Sequence, residues 1–236
     1  MPGKFLHGAL VEFMPTFLIP LPNIIIFQFN PETMTHTWTQ AEAAAQQSGG
    51  LNNPLAVQGV PGESFSFNLA MDATDMIADG SPVAVGIASV SGIYTRIAAL
   101  EMLLYPTGAF GGGLLGTVSA AIGGALGIGG GDTTRPVPES QVPTVLFVWG
   151  PGRILPVRVT GLTITETLYD SLLLNPTHAE AQISLKVLTP EELLFVTGPL
   201  GDLANAAYAF NQGLRQALAL LNLANSVESA IGMLPV

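Results

Sequence analysis

The sequence predicts an α+β domain built mainly on antiparallel β-sheet, with one packed helix and a C-terminal helical extension. Three observations carry this. Four stretches alternate apolar and polar residues with a period of two, as half-buried strands do. The strand-like runs between residues 144 and 188 follow one another through tight connections, which implies an antiparallel meander. Two other segments repeat apolar residues at steps of three and four, the period of a helix.

Residues 1–23, MPGKFLHGALVEFMPTFLIPLPN, carry one Lys and an apolar stretch interrupted by Glu12, Pro15, Pro20 and Pro22. A secretory leader needs an unbroken apolar centre, so none is expected here. From Asn23 to Phe29 the β-branched and aromatic content predicts a buried strand, ended at Asn30-Pro31 because Pro31 has no N–H for a ladder. Thr35, Thr37 and Thr39 then alternate with His36, Trp38 and Gln40, which predicts a half-exposed strand crossing the polar surface. Residues 41–62, rich in Ala, Gln, Gly and Asn, read as a surface loop.

Ser64 to Ala70 places Phe65, Phe67 and Leu69 on one face and Ser64, Ser66 and Asn68 on the other. Asp72, Asp75 and Asp79 follow in a short connection. Their spacing misses the alternate ligand positions of a calcium loop, so they read as a solvated, capping turn. Ile93, Ile97, Leu100 and Leu104 mark a helix with one apolar stripe.

Residues 107–131 hold no charge and are dominated by Gly and Ala. Gly111, Gly113 and Gly116 match G-x-G-x-x-G, but neither the preceding strand nor the acidic residue about twenty positions on is there, so no dinucleotide site is expected. The segment is long enough to cross a bilayer, yet each Gly costs about 1 kcal/mol of helix stability relative to Ala. It reads as an uncharged insertion, with a spacer holding Pro136, Pro138 and Pro143 bringing the chain back.

Three strands are then expected in succession: Thr144 to Gly150, Val157 to Tyr169, and Glu180 to Leu188, the last with Ala181, Ile183, Leu185 and Val187 on one face. Thr189 as cap and Pro190 at the first position start a helix. Leu203, Ala207, Phe210, Leu214 and Leu221 mark a later amphipathic one. The organisation expected is a β domain over 1–188 with an insertion at about 107–143, followed by a helical extension over 189–236.

Composition narrows the function. Only 10% of the 236 residues are charged, 48% are hydrophobic and mean hydropathy is +0.48, so a monomer would expose much apolar surface and oligomeric burial is the natural remedy. A net charge of −10 with seven Lys and Arg excludes a surface built to neutralise phosphates. The absence of Cys removes disulfides, thiolate metal sites and a cysteine nucleophile. His7, His36 and His178 are scattered, and no hydrolase, zinc or P-loop pattern accompanies them. Trp38 and Trp149 read as core or interface anchors before glycan platforms. No catalytic group, cofactor or metal is expected.

Three blocks, in order, carry a resemblance: FQFNPETMTHTWTQ at 27–40, SFNLAMD at 66–72, and VLFVWG at 145–150 running into LTITETLYDSLLLNPTHAEAQISLKVL at 162–188. Together they resemble the tube-protein domain of contractile injection systems, in baseplate components that start the inner tube of phage-tail-like particles. The likeness covers a little under half of the chain. It departs from the family in having His178 where arginine is favoured in the turn Pro176-Thr177-His178-Ala179, in lacking a LysM module, and in carrying the glycine-rich insertion.

The resemblance implies a tube-protein-like barrel or sandwich and a homo-hexameric ring, assembled in the cytoplasm, that connects baseplate or spike proteins to the inner tube protein. Interface candidates are Phe29, Asn30, Pro31, Trp38, Trp149, Gly150, Pro176 and His178. An ordinary stacked tube subunit is a further candidate. The alternatives are a membrane-anchoring or membrane-active component using residues 107–131, and a glycan-processing enzyme of the same particle, which needs paired carboxylates in a cleft.

Overall fold

The computed structural model describes residues 6–13, 22–40, 55–57, 59–74, 91–106, 142–196 and 199–232. The glycine-rich segment, Asp75, Asp79 and most of 41–61 lie outside them. Seven strands form one antiparallel sheet: β1 (Ala9–Phe13), β2 (Pro22–Ile26), β3 (Met34–Thr39), β4 (Gly62–Asp72), β5 (Val145–Val148), β6 (Ile154–Tyr169) and β7 (Pro176–Val187). The described helices are α1 (Tyr94–Met102), α2 (Pro190–Leu193) and α3 (Pro199–Gly232). The α+β class with mainly antiparallel sheet is therefore as the sequence predicts.

Sheet order is β2-β1-β5-β6-β7-β4-β3, so the expected meander β5-β6-β7 forms the centre. The Asn-Pro turn has a different role from a local hairpin. It joins β2 to β3, which are the two opposite edges of the sheet. Each takes a partner distant in sequence: β2 pairs with β1, and β3 with β4.

A seven-residue link between opposite edges requires the sheet to curl, and the aromatic contacts show how far. Flat, β5 and β4 would lie three strand spacings apart, about 14 Å. Yet the rings of Phe65 on β4 and Phe147 on β5 are 5.4 Å apart between centroids. Phe27, just past β2, reaches Phe67 at 5.6 Å across what would be five spacings. The inward faces therefore meet across one interior holding Leu10, Phe27, Phe65, Phe147, Ile183 and Leu185, all at most 2% exposed.

One strand reading is corrected, and one strand is added. Residues 24–29 are not core throughout: Ile25 and Phe27 face inward, while Ile24, Ile26 and Phe29 are 53%, 58% and 43% exposed, because an edge strand still alternates. Residues 9–13 form β1 despite the interruption at Glu12. That carboxylate, nearly buried, accepts a hydrogen bond from the Asn23 side chain at 3.1 Å across the β1/β2 pair.

β6 is 16 residues long and passes a bulge that carries its inward phase on to Ile164. Leu155, Val157 and Val159 face the core; the register then slips between Val159 and Gly161, Thr160 is the extra residue, and Leu162 and Ile164 take over the inward side. Pro176 and Thr177 open β7 and the turn is Asp170–Asn175, so the Pro-Thr-His-Ala run lies in a strand and not in the turn.

In α1, Ile97 and Leu100 are buried together with Ile93 just before it, which is the predicted stripe. Thr189 caps α2 in a full capping box with Glu192, and Pro190 is its first residue. α3 departs from the expected stripe. Its buried side chains are Ala204, Ala207 and Asn211, while Leu203, Phe210 and Leu221 point away from the body.

Candidate assembly surfaces

The predicted interface residues fall on three surfaces built by different elements. The first is the crossover between the sheet edges. Gln28 anchors it: its side-chain amide donates to the Asp72 carbonyl at 2.9 Å and its carbonyl accepts from the Asp72 N–H at 3.0 Å, so one side chain occupies the place of a paired strand. Arg96 on α1 donates to the same Gln28 oxygen at 3.3 Å. Asn30 fastens the link at its other end, accepting from the Gly8 N–H at 2.9 Å and donating to the Leu6 carbonyl at 2.8 Å.

β3 begins pairing only at Met34↔Phe67. Between that point and Gln28 the chain arches off the β4 edge and leaves a groove of about 490 Å³ lined by Phe29, Asn30, Pro31, Glu32, Thr33, Asn68, Leu69, Ala70 and Glu180. Its charged residues, Glu32 and Glu180, are both acids, and neither His nor Lys joins them. The groove therefore offers acceptors, main-chain groups and one apolar ring, and no nucleophile paired with a base.

The second surface is where α3 meets the sheet. Glu63 on β4 is 5% exposed, on the core-facing phase of its strand. Arg215 of α3 clamps it with both guanidinium nitrogens, one at 2.8 Å. His36 on β3 bonds the same carboxylate at 2.6 Å and stacks on Phe65. Burial holds the His36 imidazole below its usual range, and Arg153 and Arg215 push the same way against the pull of Glu63.

Trp38, one of the predicted residues, closes this cluster: it is 53% exposed, contacts the His36 ring, and lies under the Arg215 guanidinium at 6.0 Å. Trp149 belongs to the interior instead, packing on Phe27 and Phe147. Gly150 supplies a left-handed φ of 69° in the β5/β6 turn, a conformation that suits glycine.

The third surface is the β6/β7 hairpin. Asp170 shapes its tip by accepting from the Leu172 and Leu173 N–H groups at 3.1 and 2.9 Å, and Leu172, Leu173 and Leu174 stand 88%, 58% and 72% exposed. Pro176 is buried, and its carbonyl accepts from the Ile93 N–H at 3.1 Å, tying the hairpin to the start of α1. His178 lies 3.5 Å from Asp72. The Thr74 N–H, with His178 adding to it, holds the Asp72 carboxyl below its ordinary range.

The structure thus links Phe29, Asn30 and Pro31 to His178 through the Gln28–Asp72 bonds, places Trp38 in a separate cluster with α3, and puts Trp149 in the core. Sequence reasoning missed Gln28, Glu63 and Arg215. Among the described residues no group of three His, Asp or Glu is placed to hold a metal ion, and no helix is long and apolar enough to cross a membrane. Compared with protein-family models and with curated proteins, the chain matches none.

Proposed function

We propose that this protein is a non-enzymatic structural subunit of a contractile injection particle, forming a ring that joins baseplate or spike to the inner tube and starts tube assembly. The observation that carries the reading is that β2 and β3 are the two terminal strands, each with one side unpaired by any described strand, of one strongly curled antiparallel sheet. In this reading the curled sheet is the barrel of a tube-protein-like domain. The three resembling blocks fall on β3, β4, β5, β6 and β7, which are contiguous in the sheet, and on the crossover that leads into them.

An open edge presents unpaired main-chain groups and is a liability in a monomer. When the β2 edge of one copy meets the β3 edge of the next, a head-to-tail contact closes into a ring. Ile24 and Ile26 on β2 and Trp38 on β3 supply the apolar part. Burying the exposed half of each isoleucine contributes roughly 1 kcal/mol, repeated at every junction.

The outward phase of the same strands is polar: Thr35 and Thr37 on β3, Ser66 and Asn68 on β4, Gln182 and Ser184 on β7, and Thr163 and Thr165 on β6. A hydroxyl and amide face, bordered by Glu180 at one end and by Lys186 and Arg158 at the other, suits the wall of a water-filled channel. The partners are further copies of this chain, the inner tube protein above and spike or baseplate proteins below. Electron microscopy of particles made without this protein tests the assignment: tubes absent or unassembled is the expected result, and normal particles would refute it.

A further inference from the structure

One buried carboxylate oxygen serves two partners, one a permanent cation and the other titratable. Arg215 of α3 and Nε2 of His36 on β3 both bond Oε1 of Glu63, the histidine at 2.6 Å. A carboxylate only accepts, so Nε2 carries the hydrogen in the neutral ring and an added proton goes to Nδ1. The ring packs on Trp38 and Phe65, with centroids 3.5 and 4.0 Å away. Among the described residues, the charged groups that face it are Glu63 from β4, Arg153 from the β5/β6 turn and Arg215 from α3. One negative charge thus meets two guanidinium groups already, and a protonated His36 sets three cations around it.

The sheet side of the cluster is fixed. His36 and Glu63 lie on the paired strands β3 and β4, where their register partners are Phe65 and Trp38. Arg153 accepts from the Trp149 N–H at 2.8 Å through its carbonyl and holds its guanidinium over the Phe65 ring at 5.5 Å. Arg215 has less behind it. α3 rests on the body through the buried Ala204, Ala207 and Asn211, whose side-chain amide donates to the Gly152 carbonyl at 3.5 Å. Leu214 and Arg215 follow, and from Gln216 to Leu223 every side chain is exposed. Gly213 separates the two parts. It costs about 1 kcal/mol of helix stability relative to Ala, and a Cβ there would meet nothing within 4 Å, so no close neighbour calls for glycine.

We propose that His36, Glu63 and Arg215 form an acid-released latch, which clamps the second half of α3 to the sheet at neutral pH and frees it from Gly213 onward when His36 takes up a proton. The repulsion falls on the part that can move, and its sign follows from linkage. Burial first, then Arg153 and Arg215, hold the His36 imidazole below its usual range against the pull of Glu63. Lifting Arg215 away removes one guanidinium and opens the ring to water, so the released form takes the proton more readily. Release therefore grows as pH falls, by at most about tenfold per pH unit for this one proton.

The chain contains no Cys, so spin labels attach only at introduced thiols. Gln182→Cys on β7 and Ala219→Cys on α3, both exposed positions, report the sheet-to-helix distance by electron spin resonance, with labelled chain diluted into unlabelled protein so that distances within one chain are read. A narrow distribution is expected at about pH 7.5 and a longer, broader one at about pH 5, with cooperative melting retained at the lower pH. His36→Gln keeps a donor for Glu63 and takes no proton, so it should abolish the shift. Arg215→Met should give the broad distribution at both pH values. A distribution that does not move with pH, a shift that survives in His36→Gln, or a narrow distribution in Arg215→Met overturns the proposal. Loss of the cooperative melt together with the shift overturns it too, because the whole domain then unfolds and no latch opens.

Discussion

At the scale of single residues, Glu63 holds the most consequential side chain outside the apolar interior. A carboxylate at 5% exposure is tolerated only with its lone pairs occupied, and Arg215 and His36 occupy them. Replacing Arg215 with Met keeps the helical stem and removes the charge-assisted bonds. We expect a loss of roughly 1.5–3 kcal/mol, read as a lower denaturation midpoint at unchanged slope. Unaltered stability would mean that Glu63 finds other partners.

His36 adds a pH dependence of determined sign. Its folded-state pKa lies below the unfolded value near 6.5, so over that window the unfolded chain binds the extra proton and stability falls as pH falls. Melting temperatures measured from about pH 7.5 down to about 5 should decline in the wild type and flatten in His36→Gln, which keeps a donor for Glu63. Parallel profiles would assign the dependence to another group.

Glu63 also shows what a sequence can and cannot tell. Its place in the inward phase of Phe65, Phe67 and Leu69 was visible, and an acid on a core face demands a cation. With only seven Lys and Arg in the chain the field was narrow. Nothing local pointed to Arg215, which lies 152 residues away.

At the scale of elements, β4, β7, α1 and the cap of α2 could be read directly because each has two clear faces or a local capping pattern. β1 was hidden because its pairing with β2 and β5, and not its own short composition, makes it a strand. The β2/β3 link read as a local strand-turn-strand because sequence neighbours often pair, and the curl that separates them is a property of the whole sheet. The bulge in β6 left a trace: the apolar phase of that strand shifts between Val159 and Leu162.

That trace can be tested. Deleting Thr160 removes the extra residue, so β6 alternates without interruption and Leu162 and Ile164 keep the inward phase of Val157 and Val159. The deletion should leave a cooperative thermal transition, monitored by near-ultraviolet circular dichroism. Loss of that transition would show that the bulge itself, and not only the phase it restores, is needed.

At the scale of the molecule, a chain with 10% charged residues, exposed isoleucines on one sheet edge, a half-exposed tryptophan on the other and a helix projecting with four exposed leucines is poorly matched to life as a monomer. A repeating contact resolves all three mismatches, and the proposed ring is the closed form of such a contact. The interface candidates Phe29, Asn30, Pro31 and Trp38 lie on or beside the edges that this proposal brings together, whereas Trp149 serves the interior. The solution mass of the full chain by light scattering, over a wide concentration range, tests this most directly. The account predicts a discrete species near six times 24.5 kDa, weakened when Ile26 is replaced by Lys; a single 24.5 kDa particle at every concentration would contradict it.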